Sequence, residues 1–269
     1  MKYLKISPSS NLQAYVMCYY IWEHDQPLSA PLEVNSPPNG LGGMVFNYGD
    51  PYYTLQENGK WERVPFCFVA GQFTRNYSIR LSGNIGMIGV AFWPADLSYI
   101  LGIPMVEFTG QRIALNLVLG KETAVLEHRI LACQTTCERI QVLEKFLFTK
   151  IRKANLKPDM VDYAVEIIIQ KKGILSISHL SDELCISPRQ FRRRFTEKVG
   201  ITPKMCGRIK RFNYVTNLTV NTFANWMDMV HEYGYYDQAH FIRDFSDFSG
   251  KSPTEFMHYN RKMAQLIGA

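Results

Sequence analysis

A chain of 269 residues, 46% hydrophobic and 13% aromatic, can bury one large core or two ordinary ones, which excludes a disordered or low-complexity protein. No apolar stretch reaches the length of a membrane span, and six cysteines without a CxxC pair or histidines at ligand spacing exclude the common zinc modules. The net charge of +6 is unevenly placed: residues 1–150 hold twelve basic and twelve acidic side chains, whereas residues 151–269 hold eighteen and twelve. Near the N terminus, an apolar patch is cut off by Glu23-His24-Asp25 without a small-residue cleavage site, so the expected location is the cytoplasm, with reduced thiols.

From about residue 43 to 92, short β-rich runs alternate with turn chemistry. Met44 to Tyr48 leads into Gly49-Asp50-Pro51, Tyr52 to Gln56 leads into Glu57-Asn58-Gly59, and further runs lie near 61–70, 76–81 and 85–92. This spacing predicts a compact, mostly antiparallel β domain. Tyr48, Tyr52, Trp61 and Phe92 in it either fill a core or line the pocket of a small effector. Cys67, the only cysteine of the central β region, is the one candidate nucleophile for an enzyme, but the only histidine before residue 128 is His24. Helices are expected near 95–101, 122–132 and 136–154. On the last, Ile140, Leu143, Leu147 and Ile151 recur at spacings of three and four, a stripe that either packs onto its own domain or forms the seam of a homodimer.

The segment from Ala154 to Pro158 reads as a boundary between domains 1–156 and 157–269, because Pro158 disfavours helix before it and Asp159 can cap the helix after it. Beyond it the pattern is helical. SPRQFRRRFTEKVGITP, residues 187–203, repeats as DQAHFIRDFSDFSGKSP, residues 237–253, with five identities in seventeen positions. Ser187 and Asp237 are good N-caps, and each copy follows a short helical pattern, at 177–184 and 223–233. Helix, tight turn, capped helix is the helix-turn-helix plan, here written twice at about 177–199 and 223–248.

At 100° per residue, Phe191, Phe195 and Val199 share one buried arc, leaving Arg189, Arg192 and Arg193 opposite; Phe241, Phe245 and Phe248 do the same for Ala239, Ile242 and Arg243. An exposed arginine can donate two hydrogen bonds to guanine, and alanine or isoleucine suits a thymine methyl group. Arg194 and Lys198 flank the first apolar arc, where a phosphate contact or a salt bridge is expected. Lys204, Arg208, Lys210 and Arg211 follow on a linking helix, some of them facing phosphate. Residues 185–215 hold nine basic side chains and only Glu197 on the acidic side, a field that attracts a polyanion.

LSDELCISPRQFRRRFTEKVGITPK and WMDMVHEYGYYDQAHFIRDFSDFSGKSPTEF place residues 159–260 in close resemblance to the DNA-binding domain of the AraC family of bacterial transcription regulators. The resemblance implies an all-α domain whose two helix-turn-helix units, joined by a helix, enter neighbouring major-groove segments of double-stranded promoter DNA. By position, the base-reading candidates are Arg189, Arg192, Arg193, Gln238, Ala239, Ile242 and Arg243. Ser181 and Val230 depart from the family's usual alanine at the turn, and Cys185 takes a frequent glycine position. PPNGLGGMVFNYGDPY, FVAGQFTRNYSIRL and GVAFWPADLSYILGIP more weakly resemble a cupin-related, β-barrel-like sensor domain, giving an α+β chain overall. Such domains bind a small effector or dimerise; RNA polymerase is a further partner the residues leave open. No cofactor, metal or membrane partner is expected.

Overall fold

The computed structural model describes residues 1–154, 157–222 and 233–267. Ten strands occupy the first 114 residues: β1 (Lys2–Ile6), β2 (Val16–Glu23), β3 (Leu28–Ser36), β4 (Gly43–Asn47), β5 (Tyr53–Leu55), β6 (Trp61–Arg63), β7 (Cys67–Ala70), β8 (Tyr77–Gly83), β9 (Gly86–Phe92) and β10 (Arg112–Ala114). They form two antiparallel sheets, one ordered β1-β2-β9-β4-β7-β10 and the other β3-β8-β5-β6. Neither sheet closes on itself, so the expected barrel is instead a pair of open sheets.

Every residue of β4 and β9 is buried, and alternation assigns them to two cores. Met44, Phe46, Ile88 and Val90 face a core shared with helices, while Val45, Phe68 and Met87 pack with Val34, Ile79 and Leu81 of the smaller sheet. β1, β2 and β3 precede the region that reads as strand in the sequence. In β2, burial of four of eight residues, on both faces, replaces polar alternation with a nearly continuous apolar run.

Four helices cover the larger sheet's outer face: α1 (Asp96–Leu101), α2 (Leu115–Leu119), α3 (Glu122–Ala132) and α4 (Thr136–Ala154), with a 3-10 turn at Met105–Phe108. On α4, Leu143 and Leu147 are fully buried and Ile140 and Ile151 pack around them, all in the core of their own domain. That stripe packs onto its own domain, the first of its two alternatives.

The second half contains α5 (Met160–Gln170), α6 (Ile177–Glu183), α7 (Pro188–Val199), α8 (Pro203–Thr222), α9 (Gln238–Ser249) and α10 (Pro253–Ile267). Asp159 caps α5 in a capping box, its carboxylate accepting from Val161 N at 2.7 Å while Asp162 accepts from Asp159 N at 2.6 Å. The expected helix carrying Phe223, Trp226, Met227 and Val230 falls on 223–232, outside the described residues. A single core holds both repeat copies: Phe191 and Phe195 belong to the same cluster as Phe241, Phe245 and Phe248. Phe212 of α8 stacks on Phe245 and Phe248 at 5.1 and 5.4 Å, so the linking helix is part of that core.

The halves also touch directly. Asn35 N donates to Tyr259 Oη at 2.8 Å, and Thr109 Oγ1 donates to Gly200 O at 2.6 Å. A Cβ at Gly40 would lie 3.2 Å from Ile209, which brings the loop before β4 against α8 and leaves the neighbouring Lys210 half-buried.

Candidate nucleic-acid interface

The two copies of the repeat start and stop by the same chemistry. Ser187 Oγ accepts from Gln190 N at 3.2 Å with Pro188 in the first turn of α7, and Asp237 Oδ1 accepts from His240 N at 2.7 Å at the start of α9. Gly200 and Gly250 end the helices at φ +89° and +68°, a left-handed conformation that costs other residues about 1–2 kcal/mol. The turn before α7 needs the same conformation, and Cys185 supplies it at φ +53° without being glycine. Ser181, fully buried at that turn, is satisfied by donating to Ile177 O at 2.8 Å, so its hydroxyl fits where alanine is usual.

On α7, Arg189, Arg192 and Arg193 are exposed opposite Phe191 and Phe195. Arg193 lies 3.9 Å from Glu197, but with side chains 69% and 54% exposed the pair holds the guanidinium only loosely. On α9, Gln238, Ala239 and Arg243 are exposed, and half-buried Ile242 packs against the core edge. Lys204 and Arg243 line one groove with His240, Arg208 and Arg211. Arg194 is exposed, its only described polar contact being the Met160 sulfur at 3.4 Å.

Three of the basic side chains considered for phosphate are engaged elsewhere. Lys198 Nζ lies 2.9 Å from Asp159 and 2.6 Å from Asp162, also bonds Tyr99 Oη, and is 11% exposed. Its charge closes an ion cluster between α5, α7 and α1. Arg208 binds Asp244 through Nε at 3.2 Å and Nη2 at 2.7 Å, and Asp244 is 4% exposed, so this pair is internal to the second unit. Arg211 Nη1 donates to Gly234 O at 2.7 Å and its guanidinium stacks on Tyr235 at 4.9 Å.

The four aromatic pocket candidates do not meet. Phe92 is fully buried in the larger core and Tyr52 in the smaller, packed edge-on against Phe68 at 6.1 Å. Tyr48 donates to Glu23 at 2.5 Å beneath the Arg139 guanidinium, and Trp61 is covered by Arg80 at 3.9 Å. Cys67 is buried with its thiol 3.4 Å from Glu127; burial, then that carboxylate, pushes its pKa far up, the opposite of what a nucleophile needs. The sequence around Asp96, Tyr99 and Asp244 carries no local signal of their roles; only Asp162, three residues after a capping aspartate, does. Among the described residues, no helix is long and apolar enough to cross a membrane.

A capped helix with a buried phenylalanine face and an exposed basic face, preceded by a tight turn and built over a shared core, defines the helix-turn-helix class of DNA-binding proteins. Residues 180–259 match the family described as Helix-turn-helix domain, and residues 4–114 match one described as Domain of unknown function (DUF6597). With its motifs and that match, residues 180–259 are a helix-turn-helix domain of the AraC type, and the chain is a DNA-binding transcription regulator. Among solved structures, it is similar to an apo variant of ToxT from Vibrio cholerae at 13% identity and a TM-score of 0.47, over 89% of this chain and 97% of that one. ToxT from the same organism with an unsaturated fatty acid bound gives 12% and 0.44, over 88% and 96% of the two chains. The C-terminal domain of AraT, a response regulator from Geobacillus stearothermophilus, gives 20% and 0.36, over 38% and 86%. No curated protein matches the chain.

Proposed function

We propose that residues 157–269 act as one DNA-reading domain in which α7 and α9 enter neighbouring major-groove segments, and that the N-terminal domain, residues 1–156, controls it in response to a small effector. The observation that carries the reading is the duplicated reading surface: each of α7 and α9 buries phenylalanines in one core and turns an arginine, Arg193 or Arg243, to the same exposed position. Arg189, Arg192 and Arg193 suit guanine, whereas Gln238, Ala239 and Ile242 suit adenine and thymine, so the two elements differ in sequence. Lys204 and Arg194 are the phosphate contacts favoured by their exposure.

Selection of full-length protein against a random duplex pool at two salt concentrations tests this. Two short, different elements about one helical turn apart are expected. Arg193→Ala and Arg243→Ala should each cost about 1–3 kcal/mol at a matched site and relax preference within one element only. Enrichment without sequence preference, vanishing as salt rises, would reduce the basic helices to phosphate binders and end the reading.

A further inference from the structure

A cavity of about 430 Å³ lies between the two halves, away from the exposed faces of α7 and α9. Tyr15, Trp93, Asp96 and Tyr99 reach it from the N-terminal side, and α5 supplies Asp162 and Glu166. Its volume falls within the roughly 300–1,000 Å³ of small-molecule sites. The described lining carries three carboxyl groups and no lysine, arginine or histidine.

The three acids are not equivalent. Asp162 accepts from Lys198, Tyr99 and Asp159 N, all on its Oδ2, and Glu166 accepts from Gln170 at 3.0 Å. Asp96 is different: its side chain is nine-tenths buried, it lines the cavity, and its carboxyl has no hydrogen-bond partner among the described residues. The cavity leaves the Asp96 carboxyl open to an occupant, and a cationic donor would be its strongest partner, displacing the proton that burial otherwise holds there. Beside it, the Trp93 indole N–H already donates to Gln13 O at 3.1 Å, which leaves the ring faces of Trp93 and Tyr15 for apolar or cation–π contact. An anion entering the cavity would meet carboxyl groups, and the cation beside them, Lys198, is already held by Asp159 and Asp162.

We propose that this cavity binds a small organic ammonium ion with an apolar body, the cationic head on Asp96 and the body against Trp93 and Tyr15. An occupant touching α1 and α5 at once ties the two halves together, which makes it a candidate effector; that consequence, though not the binding, rests on the regulator reading.

Full-length protein is titrated with phenethylammonium, octylammonium and benzyltrimethylammonium, with phenethyl alcohol and hydrocinnamate as the uncharged and anionic counterparts. Melting temperature and tryptophan fluorescence are the readouts. At least one ammonium ion should stabilise the chain while its uncharged and anionic counterparts do not. Asp96→Asn should weaken that response about ten-fold or more, the effect of losing a charged hydrogen bond. Trp93→Phe should bind with its fluorescence change lost. No response to any of the three cations, an equal response to phenethyl alcohol, or an unchanged response in Asp96→Asn overturns the proposal. The charge comparison uses the unaltered chain, so it decides even where Asp96→Asn fails to fold. Site-selected DNA binding measured without any cation separates the two readings: its failure strikes the regulator reading and leaves the cavity's occupant standing.

Discussion

Asp96 sets a pH dependence of stability. Burial, then the Asp162 charge, pushes its carboxyl from the usual 3.8 up to about 8, with Lys198 pulling the other way. Between those values the folded chain holds a proton that the unfolded chain has released, so the stability contributed by Asp96 is full below the lower value, falls as pH rises, and is lost above the higher one. Asp96→Asn removes this titration. Its melting temperature relative to wild type should climb from about pH 5 to about pH 9, and parallel curves would refute the assignment. Nothing in the local sequence announces Asp96, because its environment comes from Asp162 and Lys198, both across the domain boundary. A salt bridge was one of the two readings of Lys198, but its partners were illegible, as were those of Arg208 and Arg211: Tyr99, Asp244 and Gly234 lie 99, 36 and 23 residues away.

At the scale of the element, local chemistry decides and was readable. α3 and α4 run over the ranges their periodicity predicts, and Asp159, Ser187 and Asp237 all cap as their positions suggest. Ser187→Ala should therefore cost about 1 kcal/mol in denaturant unfolding, since Gln190 N loses its acceptor. Cys185→Gly should move in the other direction, gaining about 0.5–1 kcal/mol as the left-handed backbone at φ +53° loses its Cβ strain. A loss of stability would show that the Cys185 side chain contributes packing despite its exposure. Strands were legible where turns bracket them, from Met44 to Phe92, but the short β10 was not. Those before Met44 were missed, because β2 is buried on both faces and β3 has only Val34 buried, so neither alternates cleanly.

For the whole molecule, the ion cluster around Lys198 is a bolt between α5, α7 and α1 rather than a grip on DNA. Lys198→Met should lower unfolding free energy by about 2 kcal/mol while leaving the salt dependence of DNA binding unchanged. A slope reduced by about 1 would instead place Lys198 on a phosphate. The length of α8 has a consequence of its own. Twenty residues at about 1.5 Å each make a rod of about 30 Å, close to the roughly 34 Å repeat of the duplex. Under the proposed two-element reading it would act as a gauge, fixing which spacings of genomic sequence the chain can accept whatever the letters at either end. Moving the two elements apart by about five base pairs turns one to the far side of the duplex. Gel-shift affinity should then fall to that of a single element, although every preferred base is still present.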